Sequence, residues 1–290
     1  MILRPSDRAA RRASPWMRAG GIRPAFNPLP ILTDPARRPS PRRLRRVTDQ
    51  WLPVGHGSMI AKIVVLTHGG HQRPVIHRSS KHLRFRFVST KTGTTQLGEG
   101  KGEAFLATLN EVDTRVVDYE CHPFEIHISR GGEMVRYRPD AVRQLADGTI
   151  ELIEAKRTAA DLADPKYRAT LAAIAEIARL CGWAFRIMYL DEIIGPPVRR
   201  LNVEALFGRR TMELSRHENR VAGRAVAVGV TLTWADMRDQ LAPNDPLQGD
   251  AVIERLLAGG LLSTDLDQRF TPRTLLVPHR PFTGRSGIRL

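Results

Sequence analysis

The sequence predicts a mixed α/β protein, a sheet flanked by helices, with a smaller helical module after it. Three observations predict this. Between positions 103 and 190 the hydrophobic pattern switches from helical spacing to strand alternation and back. After position 197 it becomes helical and closes on short apolar runs. The length of 290 residues, 42 % of them hydrophobic, suits two ordinary domains plus a tail.

Composition narrows the function classes. No apolar run approaches the roughly 18 residues of a membrane-spanning helix, so no membrane role is expected. The N-terminus is arginine-rich and lacks the apolar stretch of a secretory signal, which predicts a cytoplasmic protein. Two cysteines, Cys121 and Cys181, cannot build a disulfide framework or a cysteine zinc site. The net charge of +15 makes a polyanion the first partner to consider, and nucleic acid is the commonest. Residues 1–58 hold twelve arginines, no lysine and three aspartates, with nine prolines. This arm cannot bury enough apolar surface to order itself and is expected to be disordered. It reads as a phosphate-tracking arm, as an inert extension, or as sequence upstream of a start at Met59.

The elements follow in order. Apolar runs at 60–67 and 83–88 read as strands, split by HGGHQRP at 68–74. GEGKG at 98–102 breaks the chain before a helix over 103–109, with Phe105, Leu106 and Leu109 at helical spacing. Val116–Tyr119 is followed by His122-Pro123 and by the alternating strand FEIHI at 124–128. RGGE at 130–133 is a turn, 134–142 a strand, Asp147-Gly148 a hairpin turn, and 149–156 a third strand. Asp164-Pro165 starts a helix that Gly182 stops. The run at 184–190 is apolar enough for a central strand. GPP at 195–197 marks a boundary, giving a domain over 59–197 and another over 198–290.

In the second domain, helices are expected at 211–228, 234–241 and 247–258, the middle one opened by the capping box TWAD from Thr233. Runs at 261–263 and 270–277 can pair as a hairpin. Three helices and a hairpin is the order of a winged-helix module. Arg216, Arg220 and Arg224 recur every fourth residue with Glu213 and Glu218 interleaved, which predicts a solvated, salt-bridged face.

The chemistry concentrates at Asp140 and at Glu154-Ala155-Lys156, either side of the Asp147-Gly148 turn. A two-residue turn pairs 141 with 154 and 139 with 156, bringing two carboxylates and an ammonium to one strand end. Hard oxygen ligands hold Mg²⁺, which binds phosphate oxygens and activates water. A neighbouring lysine can orient or deprotonate that water and screen the developing charge. Three charged groups in a strand that otherwise reads as core are costly without such a purpose.

Pro139-Asp140 and Glu154-Ala155-Lys156 together resemble the PD-(D/E)xK signature of restriction-endonuclease-like nucleases. With Glu103 opening the first helix and His122-Pro123 after it, residues 84–195 resemble the TnsA-like endonuclease subunit of heteromeric transposases, though that family usually has Gln where His122 stands. The resemblance implies a restriction-endonuclease-like core and a winged-helix-like C-terminal domain. It implies catalytic roles for Glu103, Asp140, Glu154 and Lys156. Mg²⁺, with Mn²⁺ able to substitute, would be held by Glu103, Asp140, Glu154 and the carbonyl of Ala155. It also implies cutting of double-stranded DNA at the 5′ ends of a mobile element, alongside a DDE-type transposase and an AAA+ ATPase regulator. Lys91, Arg136, Arg138 and Arg157 are candidate DNA contacts. The alternatives are a stand-alone nuclease of a defence, phage or repair system, and a non-catalytic DNA-binding adaptor. His122 reads as a structural hydrogen-bonder, and Glu151 as facing away from Glu154.

Overall fold

The computed structural model describes residues 59–66, 83–279 and 286–288, with the backbone of two short strands, β1 (Leu44–Arg45) and β2 (Leu52–Pro53). The expected arm otherwise lies outside the described residues, as does the turn at 68–74. The chain is mixed α/β, with sheets flanked by helices.

One sheet runs β1-β3-β7-β8, formed with β3 (Ile60–Leu66), β7 (Glu125–Arg130) and β8 (Glu133–Tyr137), and β2 also pairs β3. A second sheet runs β11-β10-β9-β6, from β6 (Val116–Cys121), β9 (Ala141–Leu145), β10 (Ile150–Lys156) and β11 (Ala184–Tyr189). A separate hairpin joins β4 (Arg84–Val88) to β5 (Thr95–Glu99). It leads into helix α1 (Lys101–Val112).

The strand expected over 134–142 is two strands in two sheets. Pro139 stands between them and offers no N–H to a ladder, so the chain leaves the first sheet at Tyr137 and enters the second at Ala141. The run at 184–190 is a strand, but at the sheet edge among the described residues. Its exposed Ala184 and Arg186 mark that position.

Helix α2 (Pro165–Leu180) begins as expected, with Asp164 capping Lys166 N and Pro165 at the first position. Its apolar face, Leu171, Ile174 and Ile177, packs with Val142 and Leu152 of the second sheet and Ile63, Ile126 and Ile128 of the first. The opposite face of the second sheet, Ala141 and Ile153, packs on Leu106 of α1 and on Ile193 of α3 (Leu190–Ile194). The sheet is thus covered on both sides, and the interior of β10 is buried.

The boundary at 197 falls where helix α4 (Pro197–Arg209) starts, a helix unforeseen in the sequence because Pro196-Pro197 reads as a breaker. Pro197 is at the first helical position, where a missing N–H costs nothing. The helix expected over 211–228 is α5 (Arg216–Val228), and it starts later because Ser215 and Glu218 form a capping box. Then follow β12 (Leu232–Thr233), α6 (Trp234–Leu241), α7 (Pro246–Ala258), β13 (Leu262–Ser263) and β14 (Leu275–Pro278), with sheet order β12-β14-β13. Val203, Leu206, Trp234, Met237, Val252, Ile253 and Leu256 make this core, and Leu109 and Val112 of α1 enter it. No helix among the described residues is long and apolar enough to cross a membrane.

Candidate metal site

The hairpin register differs from expectation by one residue, and the difference matters. Ile153 pairs with Ala141 and Leu152 with Val142, because the β9–β10 loop has three residues, 146–148. Leu145 N donates to Thr149 O across it, and Gly148 takes the left-handed position at φ 89°. Asp140 therefore stands opposite Glu154, and its N–H donates to Ile153 O at 3.1 Å. On the other side Cys121 pairs with Ala141, and His122 N donates to Asp140 O at 3.1 Å. His122, Asp140 and Glu154 form one row across three adjacent chain segments, about 4.8 Å apart per step.

Past Pro139 the backbone no longer supplies a ladder acceptor to Ala155. The carboxylate of Asp140 does so instead, accepting from Ala155 N at 2.7 Å. His122 holds φ at 48°, the only positive value outside glycine among the described residues. That left-handed bend ends β6 and turns the buried imidazole toward α1, where Nε2 lies 3.0 Å from Glu103 Oε2.

Glu103 is in the first turn of α1, where the helix dipole favours an acid. Gly100, at the cap, has no side chain to offer, and Glu103 reaches back to accept from Glu99 N at 3.0 Å. Gly98 makes room for this. A Cβ there would sit 2.7 Å from Glu103 Oε2 and 2.6 Å from the Phe85 ring.

Ligand atoms of Glu103, His122 and Asp140 lie within 4.8 Å of one another, the spacing of a cation's donor set. Two carboxylates suit Mg²⁺ or Mn²⁺, and an imidazole tilts the set toward Mn²⁺. His122 is the member that sequence reasoning assigned only a structural role. Its signal was its place directly after a strand and before a proline.

Glu154 is adjacent but otherwise engaged. Only 4 % exposed, it accepts from Lys156 and from the hydroxyls of Tyr137 and Tyr167. The sequence pointed to a role for neither tyrosine. Tyr167 comes from the first turn of α2 and also lies under the Lys156 ammonium, 5.0 Å from ring centre to Nζ. Of Ala155, the N–H is the atom that meets the site, donating to Asp140. Glu151 does face away, onto Arg143.

Burial drives the Asp140 carboxyl up to about 8, with Glu154 and Glu103 adding repulsion. Burial opposes charge on His122, but the Glu103 carboxylate outweighs it and raises the imidazole. Burial also opposes charge on Lys156, yet Glu154 raises it well above the ordinary lysine value. Lys156 is thus held as an ammonium, a source of positive charge and not a base. The hydroxyls of Tyr137 and Tyr167 are raised by burial and by Glu154, and stay donors.

The candidate DNA contacts divide. The Lys91 ammonium donates to the carbonyls of Asn110, Asp113 and Val116 at 2.7–2.8 Å, using all three of its protons at the C-terminal end of α1. Arg138 is bound to buried Glu125 at 2.6–2.8 Å. Arg136 and Arg157 are exposed, and Arg157 directly follows Lys156. A cavity of about 460 Å³ lies elsewhere, between the second sheet, α4 and the C-terminal module, and none of the four proposed catalytic residues lines it. No protein-family model matches the chain, and no relative is found among curated proteins.

Proposed function

We propose that the protein is a divalent-cation-dependent phosphodiester hydrolase acting on double-stranded DNA. The observation that supports this best is the row His122, Asp140, Glu154, with Glu103 reaching it from α1 and Lys156 two residues beyond. The sheet between α1 and α2, with the acids at one end of its strands, is what a restriction-endonuclease-like core would present. More particularly, the order Glu103, His122-Pro123, Asp140, Glu154-Ala155-Lys156 supports a TnsA-like transposon endonuclease subunit. Its partners would be a DDE-type transposase and an AAA+ regulator. The order helix, strand, helix, helix, strand, strand from α5 to β14 supports the winged-helix-like reading of the second domain.

In this reading Glu103 and Asp140 would hold the cation, with His122 beside them. When bound, the cation would polarise a phosphoryl oxygen and acidify a bound water. Asp140, whose carboxyl burial raises to about 8, would release its proton to solvent when a cation binds. Glu154 fixes Lys156 in place and keeps it charged, and the ammonium offsets negative charge developing on the phosphate. Tyr137 and Tyr167 hold Glu154 in turn.

The test is nicking of supercoiled plasmid in Mg²⁺ or Mn²⁺ by wild type, Asp140→Ala and Lys156→Ala. Metal-dependent nicking that both variants lose supports the reading, with Mn²⁺ the better cofactor. Undiminished nicking by both variants removes it from this site.

A further inference from the structure

We infer that the solvent face of α5 is a second nucleic-acid surface, a row of arginines that binds the phosphate backbone of duplex DNA away from the candidate catalytic centre. Arg216, Arg220 and Arg224 are exposed and four residues apart. Each step advances about 6 Å along the axis and drifts about 40° around it, so the three guanidinium groups share one stripe. The salt-bridged face expected from the sequence is absent. Among the described residues no ion pair engages any of the three. Glu218, the acid that could neutralise them, is turned inward. It accepts from Ser215 N and from Gln248 Nε2 and is 7 % exposed.

The helix is therefore sorted by charge, with its one acid in the cap and its bases in water. Three features of this face work against the isolated helix. Arg216 sits at the positive end of the dipole. Arg216–Arg220 and Arg220–Arg224 are like-charge pairs at i,i+4. Gly223, mid-helix and on the same side, weakens the helix, and a Cβ there would meet nothing within 4 Å. Packing does not explain that glycine. With Ala227 it leaves the stripe free of bulk, so a backbone can approach the guanidinium groups closely. A polyanion is the partner that turns all three liabilities into contacts, and arginine is the side chain suited to phosphate.

Four other helix arginines are instead paired with acids. Arg179 pairs with Glu176, Arg200 with Glu204, Arg209 with Glu254 and Arg199 with Asp267. The choice of DNA as the polyanion rests on the nuclease reading; the location of the surface does not.

The experiment is fluorescence anisotropy of the full chain on a labelled 30-base-pair duplex, without divalent metal, from 50 to 300 mM salt. Wild type is compared with the triple variant Arg216→Gln, Arg220→Gln, Arg224→Gln, and with the control Arg179→Gln, Arg200→Gln. The triple variant is expected to lower the slope of log affinity against log salt by about 2–3, near 0.9 per phosphate lost. Its affinity at 100 mM salt should fall about 10- to 100-fold, with the control unchanged. An unchanged slope in the triple variant, an equal change in the control, or no duplex binding by wild type overturns the inference. Nicking is not read here, so a wild type that binds through α5 but never cuts would sink the nuclease reading and leave this surface standing.

Discussion

Two regions of the molecule use the same side chains to opposite ends. Each brings acids, a lysine and tyrosine together near an end of α1. At the C-terminal end, Glu111 accepts from Ser89, from the N–H and hydroxyl of Thr90, from Lys91 N and from Tyr119. Burial opposes its charge, but these donors outweigh burial and lower its pKa. Beside it the Lys91 ammonium is spent on three carbonyls, and burial lowers it to about 8. At the other end, the backbone carbonyl of Asp140 accepts from His122 N, while its carboxylate has one donor among the described residues, Ala155 N, and faces two other acids. The lesson is that a saturated acid holds structure, while an undersupplied one among like charges is a place where a cation fits.

The largest expected effect lies at the undersupplied end. Asp140→Ala and Lys156→Ala should each lower metal-dependent nicking by about 10²–10³-fold. Glu111→Gln should leave the nicking rate of folded protein within a few-fold of wild type, and an equal loss there would erase the contrast between the two ends. Next comes stability. Glu111→Ala strands buried donors from Ser89, Thr90 and Tyr119 and should cost on the order of 3 kcal/mol. A melting temperature within one degree of wild type would contradict this.

A third effect depends on pH. The Asp140 carboxyl is raised in the fold above its unfolded value, so the folded state holds a proton that the unfolded state releases between about pH 4 and 8. Without metal, this group's contribution to stability is complete below pH 4 and is lost as pH rises through about 8. Asp140→Asn keeps the acceptor for Ala155 N and removes the charge. It should be stabilised relative to wild type by a margin that grows from pH 5 to pH 8.5, followed by thermal melts in chelator; a constant margin would refute it. Glu125 supplies the opposite sign. Burial opposes its charge, but His127 and Arg138 hold it down to about 2, so its contribution is present above about pH 4.5 and is lost as pH falls through 2.

The smallest effect belongs to the tyrosine clamp. Tyr167→Phe removes one of the donors on Glu154, which positions Lys156, and should lower the nicking rate at saturating metal by up to about 10-fold. Tyr137→Phe, the more buried of the two, should do at least as much, and a change in neither would reduce the clamp to packing.

Much of this was readable beforehand because it is local. The caps of α2 and α6, the stop at Gly182 and the strand of Glu154 are written within a few residues of where they act. The alternation that separates Glu151 from Glu154 is equally local. What escaped depends on distant partners. Nothing near Pro139 says that the strands on its two sides join different sheets. The hairpin register turned on whether Ala146 belongs to the loop, a one-residue matter that Asp147-Gly148 does not decide. Tyr167 meets Glu154 only because α2 packs across the sheet, and Lys91 meets its three carbonyls only because the β4–β5 hairpin folds onto α1. Helix α4 escaped because two prolines mark a helix start as readily as a break.

Helix α1 carries one further consequence. Twelve residues span about 18 Å, with Glu103 at one end and Leu109 and Val112 near the other, inside the core of the second domain. The helix is a strut that both halves share. Cutting the chain after residue 197 would uncover the apolar side of that strut and leave the carboxylate on an unsupported beam. A fragment of residues 59–197 should therefore clump in solution unless the other half is supplied in trans.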